Sequence, residues 1–141
     1  RAVARGEIHL TKSTIEAVRA DDVGKGDVLA TARVGAIQAV KHTWETIPMC
    51  HQIPITNVET TFEVLDDRIE LDVAVETTGK TGCEMEALEG VTTGLNVVWD
   101  MVKAAEKAVV ENDSEAGVEA SGYPGTAITD VEVVSKEKRE L

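Results

Sequence analysis

The sequence contains few aromatic residues and few cysteines. Phe, Trp and Tyr make up 3% of the 141 residues, so the core has to be built from Val, Ile, Leu and Ala. Cys50 and Cys83 are too few and too isolated to predict a disulfide scaffold, which makes a reducing cytoplasm the expected location. A chain of this length is expected to form a single domain over residues 1–141, long enough for a real hydrophobic core.

Basic residues and long apolar runs are also in short supply. Lys and Arg total 14 against 26 Asp and Glu, a net charge of −12, which argues against nucleic acid as a partner. Such a surface suits a high-salt cytoplasm, in which it stays hydrated, although ordinary acidic proteins share it. No apolar run approaches a membrane span, and the N-terminal region has no signal-peptide core. Because the chain starts at Arg1 and not at Met, its natural start is expected upstream.

Residues 77–88 form a turn between a predicted strand and a predicted helix. The strand alternates apolar with charged residues at Ile69, Leu71, Val73 and Val75. The helix carries an apolar seam with gaps of three and four residues: Leu88, Val91, Leu95, Val98, Val102, Ala105 and Val109. A P-loop is excluded because Ala74 stands where its first glycine is required. The turn is either a tight connection with Lys80 in solvent or an anion site formed by backbone N–H groups.

The other elements follow the order strand, two helices, two strands, long helix, strand. The predicted strands are residues 2–10, 57–64, 68–76 and 127–135. Ser13 and Glu16 have the spacing of a capping box and open the short first helix, and Asp27 can cap the second helix, which is predicted to end at Ile47. Residues 108–125, rich in Glu, Ser, Gly and Ala, predict a mobile loop, and residues 136–141 predict a charged tail. This order predicts an α+β fold of the ferredoxin-like kind, an antiparallel sheet with helices packed on one face.

Some polar residues are not needed by this scaffold. His51 lies in a link bracketed by two prolines, where an acid/base or ligand role competes with a simple hydrogen-bonded histidine. Lys25, in a glycine turn at a helix start, is either a phosphate contact or a solvated lysine. Asp100 and Lys103 share a helix face, as either a surface salt bridge or a functional pair. The spacing of the Cys and His residues does not predict a zinc site.

Two of the acidic residues are far apart on the predicted helix. Glu86 and Asp100 are separated by roughly 21 Å along the axis, at a rise of ~1.5 Å per residue. A small substrate can hardly touch both within one chain. If both serve one site, a second chain is expected to supply one of them.

Four blocks of sequence occur together in this order: Lys25-Gly26-Asp27-Val28-Leu29-Ala30-Thr31-Ala32-Arg33, Ile47-Pro48-Met49-Cys50-His51, Thr78-Gly79-Lys80-Thr81-Gly82-Cys83-Glu84-Met85-Glu86-Ala87-Leu88 and Trp99-Asp100-Met101-Val102-Lys103-Ala104. Together they resemble cyclic pyranopterin monophosphate synthase, the molybdenum cofactor biosynthesis protein C family. The resemblance covers residues 6–107 and returns in the last strand. The third block is long and specific.

The resemblance implies a lyase of molybdenum cofactor biosynthesis. Enzymes of the family convert 3′,8-cyclo-7,8-dihydro-GTP to cyclic pyranopterin monophosphate and release diphosphate, and no redox cofactor or metal is expected. The family assembles as a hexamer of dimers with sites between chains. The implied location is the cytoplasm, with neither nucleic acid nor membrane as a partner.

The resemblance also implies roles for individual residues. Asp100 would act as acid/base, and Lys103 as its proton-transfer partner or as a holder of transition-state charge. The implied substrate-binding residues are Met49, Cys50, His51, Glu84, Met85, Glu86, Lys25 and Lys136. Lys136 matches the first lysine of a C-terminal Lys-Ser-Gly-Gly-Lys-Ser-Gly run. The glycines of that run are absent here, so the resemblance does not predict how the C-terminal loop closes over substrate.

Two other classes of protein are considered. A catalytically silent, ferredoxin-like nucleotide-binding module would keep the sheet but would have no reason to keep Asp100 and Lys103 together with Lys25 and His51. A nucleotide phosphohydrolase would need a complete P-loop or a metal-binding carboxylate cluster, and the sequence shows neither.

Overall fold

A computed structural model of the chain describes residues 1–110 and 120–139. Its elements are β1 (Ala2–His9), α1 (Lys12–Arg19), α2 (Val28–Lys41), α3 (Thr43–Thr46), β2 (Ile55–Val64), β3 (Arg68–Thr77), α4 (Glu84–Glu106), β4 (Ala108–Val110), β5 (Ala120–Gly122) and β6 (Ala127–Lys136). Among the described residues, none of the helices has the length and apolar character needed to cross a membrane.

The main sheet has the strand order β2-β3-β1-β6, and each neighbouring pair is antiparallel. The hairpin of β2 and β3 is closed by a hydrogen bond from Leu65 N to Arg68 O at 2.8 Å. Strand β1 lies in the middle because the chain crosses over through helices before β2 and before β6. This is the predicted α+β, ferredoxin-like arrangement, and the prediction is confirmed.

Helices α2 and α4 cover one face of the sheet, and the core lies between these two layers. The buried apolar residues include Ala2, Ala4, Ile8, Ile69, Leu71, Val73 and Val75 of the sheet and Ala32, Ala36, Val40, Ala87, Val91, Leu95 and Val98 of the helices. The two helices touch closely at glycines of α4. A Cβ added at Gly90 would lie 2.9 Å from Val40 Cγ2, and a Cβ at Gly94 would lie 3.3 Å from that of Ala36. The alternating pattern and most of the 3–4 pattern therefore identified the core correctly. The predicted helical seam is wrong at its end, because Ala105 is exposed and Val109 lies in β4, beyond the end of α4 at Glu106.

The second predicted helix does not run unbroken to Ile47. Helix α2 ends at Lys41, and the four-residue α3 follows after His42. The break is stabilised by Thr43, whose hydroxyl donates to Ala39 O at 2.8 Å and thereby satisfies a carbonyl at the end of α2. The predicted capping box in the first helix is also wrong, since Thr11 is the N-cap of α1 and makes no side-chain cap bond.

The predicted loop over residues 108–125 is wrong at its ends. Strands β4 and β5 pair there, with Ala108 opposite Gly122, and residues 111–119 lie outside the described part of the chain. The predicted tail begins one residue later than expected because Lys136 belongs to β6. Glu137 N then donates to Arg1 O at 2.7 Å. Residues 140 and 141 also lie outside the described part.

Candidate active site

Helix α4 has a group of charged side chains near its C-terminal end, which we name the carboxyl-terminal cluster (Lys25, Asp100 and Lys103). Lys103 Nζ donates to Asp100 Oδ1 at 2.9 Å. Lys25 Nζ donates to Asp100 O at 3.0 Å and lies 3.6 Å from Asp100 Oδ2. The fold thus brings Lys25 to the pair of Asp100 and Lys103, which lie one turn apart on α4.

Local structure explains how Lys25 reaches this position. It lies in the turn before α2, where Gly26 has a φ of 114°, a conformation that favours glycine. Asp27 then caps α2 by accepting a hydrogen bond from Ala30 N at 3.0 Å, as the sequence predicted. The turn and the cap together fix the start of α2 beside the end of α4.

The charges in the carboxyl-terminal cluster support one another. The pKa of Asp100 is lowered by its hydrogen bond to Lys103, by the charge of Lys103 and then by Lys25. The pKa of Lys103 is raised by its hydrogen bond to Asp100 and by the charge of Asp100. Both side chains are about half exposed, at 59% and 48%, so they are open to a ligand. The resting cluster is a carboxylate beside two ammonium groups, which suits proton transfer and the binding of an anion.

Glu106 lies one turn beyond Lys103 and is buried, with 4% exposure. Thr11, Thr14 and Thr126 donate hydroxyl hydrogen bonds to its carboxylate, at 2.6, 2.6 and 2.9 Å. Burial alone would raise the pKa of Glu106, but these hydrogen bonds outweigh it and the pKa is lowered. Sequence reasoning missed this residue because its three partners come from distant segments with no recurring spacing. The only signal in the sequence was a carboxylate directly after Ala105, a residue of the predicted apolar seam.

At the other end of α4 lies a second group, which we name the amino-terminal cluster (Cys50, Glu84, Glu86 and Lys136). Glu86 is buried, with 3% exposure, and Cys50 Sγ donates to Glu86 Oε2 at 3.6 Å. The pKa of Cys50 is raised first by burial and then by the charge and hydrogen bond of Glu86. The thiol therefore stays protonated and can act as a donor beside a carboxylate.

Lys136 joins the amino-terminal cluster from the end of β6. Its Nζ lies 2.6 Å from Glu84 Oε1, although the two groups are poorly aligned for a hydrogen bond. The contact is therefore best described as an ion pair, and it lowers the pKa of Glu84 and raises that of Lys136. Lys136 keeps 59% of its side chain exposed, so it remains open to an anionic ligand.

Three further predicted residues lie at the same end but point to solvent. Met49 is 90% exposed and Met85 is 39% exposed, which is unusual for apolar side chains. His51 is exposed and makes no hydrogen bond or ion pair with any residue that the structure describes. The interpretation of His51 as a merely hydrogen-bonded structural residue is therefore not supported within this part of the chain.

The turn before α4 uses its polar groups internally. Gly79 N donates to Thr77 Oγ1 at 2.9 Å, and Thr77 Oγ1 donates to Pro54 O at 2.6 Å. Lys80 is exposed. Of the two interpretations of this turn, the tight connection with Lys80 in solvent agrees better with these contacts.

Another polar group lies on the outer face of the sheet, away from both clusters. Atoms of Glu7, His9 and Asp130 lie close enough together to hold a metal ion. Arg68 already pairs with Glu7 at 2.7 Å, and His9 Nε2 is 3.0 Å from Thr129 Oγ1. The guanidinium would compete with a cation for Glu7. The residues considered for zinc in the sequence are not part of this group; they are Cys50, His51, Cys83 and His42.

The structure does not bring the carboxyl-terminal and amino-terminal clusters together. Glu86 and Asp100 lie on the same unbroken helix, roughly 21 Å apart along its axis at ~1.5 Å per residue. Each cluster is compact, and the body of α4 separates them. Within one chain they are two separate clusters, each open to solvent.

Comparison with known proteins finds relatives over nearly the whole chain. The MoaC family model matches residues 1–138. A probable cyclic pyranopterin monophosphate synthase of Halobacterium salinarum is 75% identical over 139 residues, covering 98% of this chain and 78% of the relative. A protein of the same name from Natronomonas pharaonis is 70% identical over 142 residues, covering 100% of this chain and 82% of the relative.

A more distant relative gives the same result. The probable cyclic pyranopterin monophosphate synthase of Methanosarcina mazei is 50% identical over 137 residues, covering 97% of this chain and 81% of the relative. The acidic surface expected for a high-salt cytoplasm also agrees with the halophilic sources of the Halobacterium and Natronomonas proteins. From the family match and these identities over nearly the whole chain, it follows that the chain belongs to the MoaC family.

Proposed function

We propose that the chain is a cyclic pyranopterin monophosphate synthase whose catalytic pair is Asp100 and Lys103. The reaction converts 3′,8-cyclo-7,8-dihydro-GTP to cyclic pyranopterin monophosphate and releases diphosphate, a lyase step in molybdenum cofactor biosynthesis. Family membership and the names of the relatives support the reaction. The observation that carries the site is the carboxyl-terminal cluster, in which Asp100 accepts from Lys103 at 2.9 Å and faces Lys25.

The chemistry of the cluster fits the needs of this reaction. Ring opening and re-closure of the base require proton transfers. In this proposal the Asp100 carboxylate accepts a proton and the Lys103 ammonium donates one. Attack of a ribose hydroxyl on the α-phosphate places extra negative charge on phosphate oxygens. The ammonium groups of Lys25 and Lys103 would stabilise that charge, with Lys25 closer to the phosphates.

The amino-terminal cluster would bind the rest of the substrate. Glu86 and Cys50 offer an acceptor and a donor for a purine-derived base, with Glu84 nearby, and His51, Met49 and Met85 provide exposed contacts. Lys136 would hold charge at the edge of this cluster. In this proposal its ion pair with Glu84 opens when substrate binds.

The complete site would lie between chains. The two clusters are too far apart on α4 for a single small substrate, so one chain would supply the carboxyl-terminal cluster and a neighbour the amino-terminal cluster. The exposed side chains of Met49 and Met85, both near the N-terminal end of α4, are available to a ligand or to another chain, which agrees with this arrangement. We expect a homo-oligomer, specifically a hexamer of dimers.

The test is to give the purified protein 3′,8-cyclo-7,8-dihydro-GTP at high salt and to follow diphosphate release and the pterin product. We expect turnover by the wild type and a loss of about 10²–10⁴-fold in kcat for Lys103→Ala. Lys41→Ala is the matched control, because Lys41 is also an exposed lysine in the last turn of a helix. It should turn over at the wild-type rate.

The outcomes separate the alternatives. An intact oligomer without wild-type turnover would favour a silent nucleotide-binding module. Turnover of plain GTP that depends on an added metal would favour a phosphohydrolase. If Lys103→Ala lost the oligomer and the activity together, Lys103 would be an interface residue and not a catalytic one.

A further inference from the structure

The side of α4 that carries Lys103 also carries Trp99 and Glu106. These three residues recur at gaps of four and three, so they lie on one side of a helix with 3.6 residues per turn. Lys103 is the middle member. A segment that contacts both Trp99 and Glu106 therefore has to pass beside Lys103.

The turn between β5 and β6 makes both contacts. Near one end, the ring of Tyr123 packs edge-on against Trp99, with centroids 5.4 Å apart and planes at 72°. At the other end, Thr126 Oγ1 donates to Glu106 Oε1 at 2.9 Å. Residues 123–126 thus flank Lys103, with a contact on each side of it along the helix.

This turn is also held in place from the side of α1. Thr126 N donates to Tyr123 O at 3.2 Å, which closes the turn. A Cβ added at Gly125 would lie 2.9 Å from Thr11 Cγ2, so the turn packs directly on Thr11. Because Thr11 itself donates to Glu106, the turn, α1 and the end of α4 share one anchor.

We infer that Tyr123 is a positioning residue whose ring forms a wall beside the stem of Lys103 and keeps its ammonium at Asp100. The inference rests on the proposed function for its consequence in catalysis. Lys103 is only half covered, and a long lysine side chain without a neighbour spreads over many rotamers. A rigid aromatic ring anchored on Trp99 removes part of that freedom before substrate arrives.

The charged groups around Lys103 are consistent with a role for the ring and not for the hydroxyl. Asp100 pairs with Lys103 directly, and Lys25 approaches the same carboxylate from the turn before α2. The Tyr123 hydroxyl makes no hydrogen bond to any residue that the structure describes. The pKa of Lys103 is raised first by the hydrogen bond and charge of Asp100 and only last by the charge of Tyr123, so the main contribution of Tyr123 in the resting site is packing. Removal of the ring is expected to matter, and removal of the hydroxyl alone is not.

The test compares Tyr123→Ala with Tyr123→Phe. We expect Tyr123→Ala to lower kcat about 10-fold with little change in KM, since a positioning defect acts on the reacting group, and Tyr123→Phe to behave as wild type. A second readout needs no substrate: the pKa of Lys103, followed by NMR of the lysine side chains and assigned with Lys103→Ala. It should fall toward its ordinary value in Tyr123→Ala and stay raised in Tyr123→Phe.

Phe62→Ala is the control for a purely structural loss. Phe62 is a partly buried aromatic residue of β2, a strand that carries no member of either cluster, and its truncation should lower stability while kcat and the Lys103 titration stay unchanged. If Tyr123→Ala does not fold, Thr126→Val releases the turn from Glu106 with Tyr123 intact and is expected to give the same two changes.

The remaining outcomes overturn the inference. A normal kcat and a normal Lys103 titration in Tyr123→Ala would show that the ring does not position the lysine. Equal damage in Tyr123→Phe would assign the effect to the hydroxyl. If the wild type fails to turn over substrate, the proposed function fails, and the NMR titration still decides whether Tyr123 positions Lys103.

Discussion

The two ends of α4 hold carboxylates in opposite environments. Near the C-terminal end, Asp100 is exposed and has two ammonium groups beside it. Near the N-terminal end, Glu86 is buried and accepts a hydrogen bond from a protonated thiol. An exposed charge can exchange protons with a substrate, whereas a buried acceptor with a fixed donor is better suited to recognising one shape. The difference fits the proposal of chemistry at one end and recognition at the other.

The largest expected effect comes from mixing two inactive variants. Lys103→Ala removes the proposed proton-transfer group of the carboxyl-terminal cluster. Glu86→Ala removes the proposed substrate-binding carboxylate of the amino-terminal cluster. If each complete site takes one half from each of two chains, random co-assembly at equal amounts restores activity in about a quarter of the sites. The measurement is diphosphate release after the two variants are unfolded together and refolded.

The control for this experiment combines both changes in one chain and mixes it with Lys103→Ala. No site in that mixture can have an intact carboxyl-terminal cluster, so activity should stay at background. A mixture of single variants that also stays at background, with the oligomeric state of the wild type, would contradict a site between chains and would leave the two ends of α4 unrelated in function.

A smaller effect separates the two acids at the C-terminal end of α4. Glu106→Gln should lower the free energy of unfolding by about 2–4 kcal/mol, since three hydroxyl donors lose a buried carboxylate. Asp100→Asn should change it little, because Asp100 is exposed. Urea unfolding at fixed protein concentration measures both, and Glu89→Gln, a half-buried acid of the same helix, is the control.

The same comparison has a pH dependence of known sign. The pKa of Glu106 is lowered in the folded protein, so its contribution is present above the ordinary carboxyl pKa and is lost as the pH falls through the lowered value. The stability gap between wild type and Glu106→Gln should therefore narrow in acid. A gap that stays constant down to strongly acidic pH would mean that the carboxylate charge does not carry the effect.

The smallest effect concerns the thiol at the N-terminal end. Glu86→Gln removes the charge that helps to raise the pKa of Cys50, so alkylation of Cys50 by iodoacetamide at pH 8 should become several-fold faster. Cys83, with 2% exposure, serves as an internal reference and should react only after unfolding. Equal rates for Cys50 in both proteins would show that burial alone controls this thiol.

The fold was predictable because its signals are local and periodic. The alternation in β2 and β3 and the 3–4 seam of α4 each identify a buried face without knowledge of the partner. The break at His42 was not predictable in this way, since apolar residues keep the helical spacing up to Ile47. Strand β5 was missed because its Ala, Ser and Gly residues resemble a loop, and β4 was missed because Val109 continues the spacing of the predicted helical seam.

The individual residues of the proposed site were predicted from resemblance. Only the fold shows which of them lie together. Lys25 reaches Asp100 only because the start of α2 packs beside the end of α4, a contact between positions 75 residues apart. Lys136 reaches Glu84 through the pairing of β6 with β1. Glu106 and Tyr123 escaped notice because their partners are set by tertiary packing, and no sequence spacing records it.

The glycines of α4 also determine how the protein can move. Added side chains at Gly90 and Gly94 would collide with α2 and the sheet, so the helix rests directly on its neighbours with no space to bend or slide. Helix α4 is therefore rigid, and the distance between its two ends is constant. Among the described residues, closure around a substrate would then have to come from segments outside this helix, such as the link over residues 48–54.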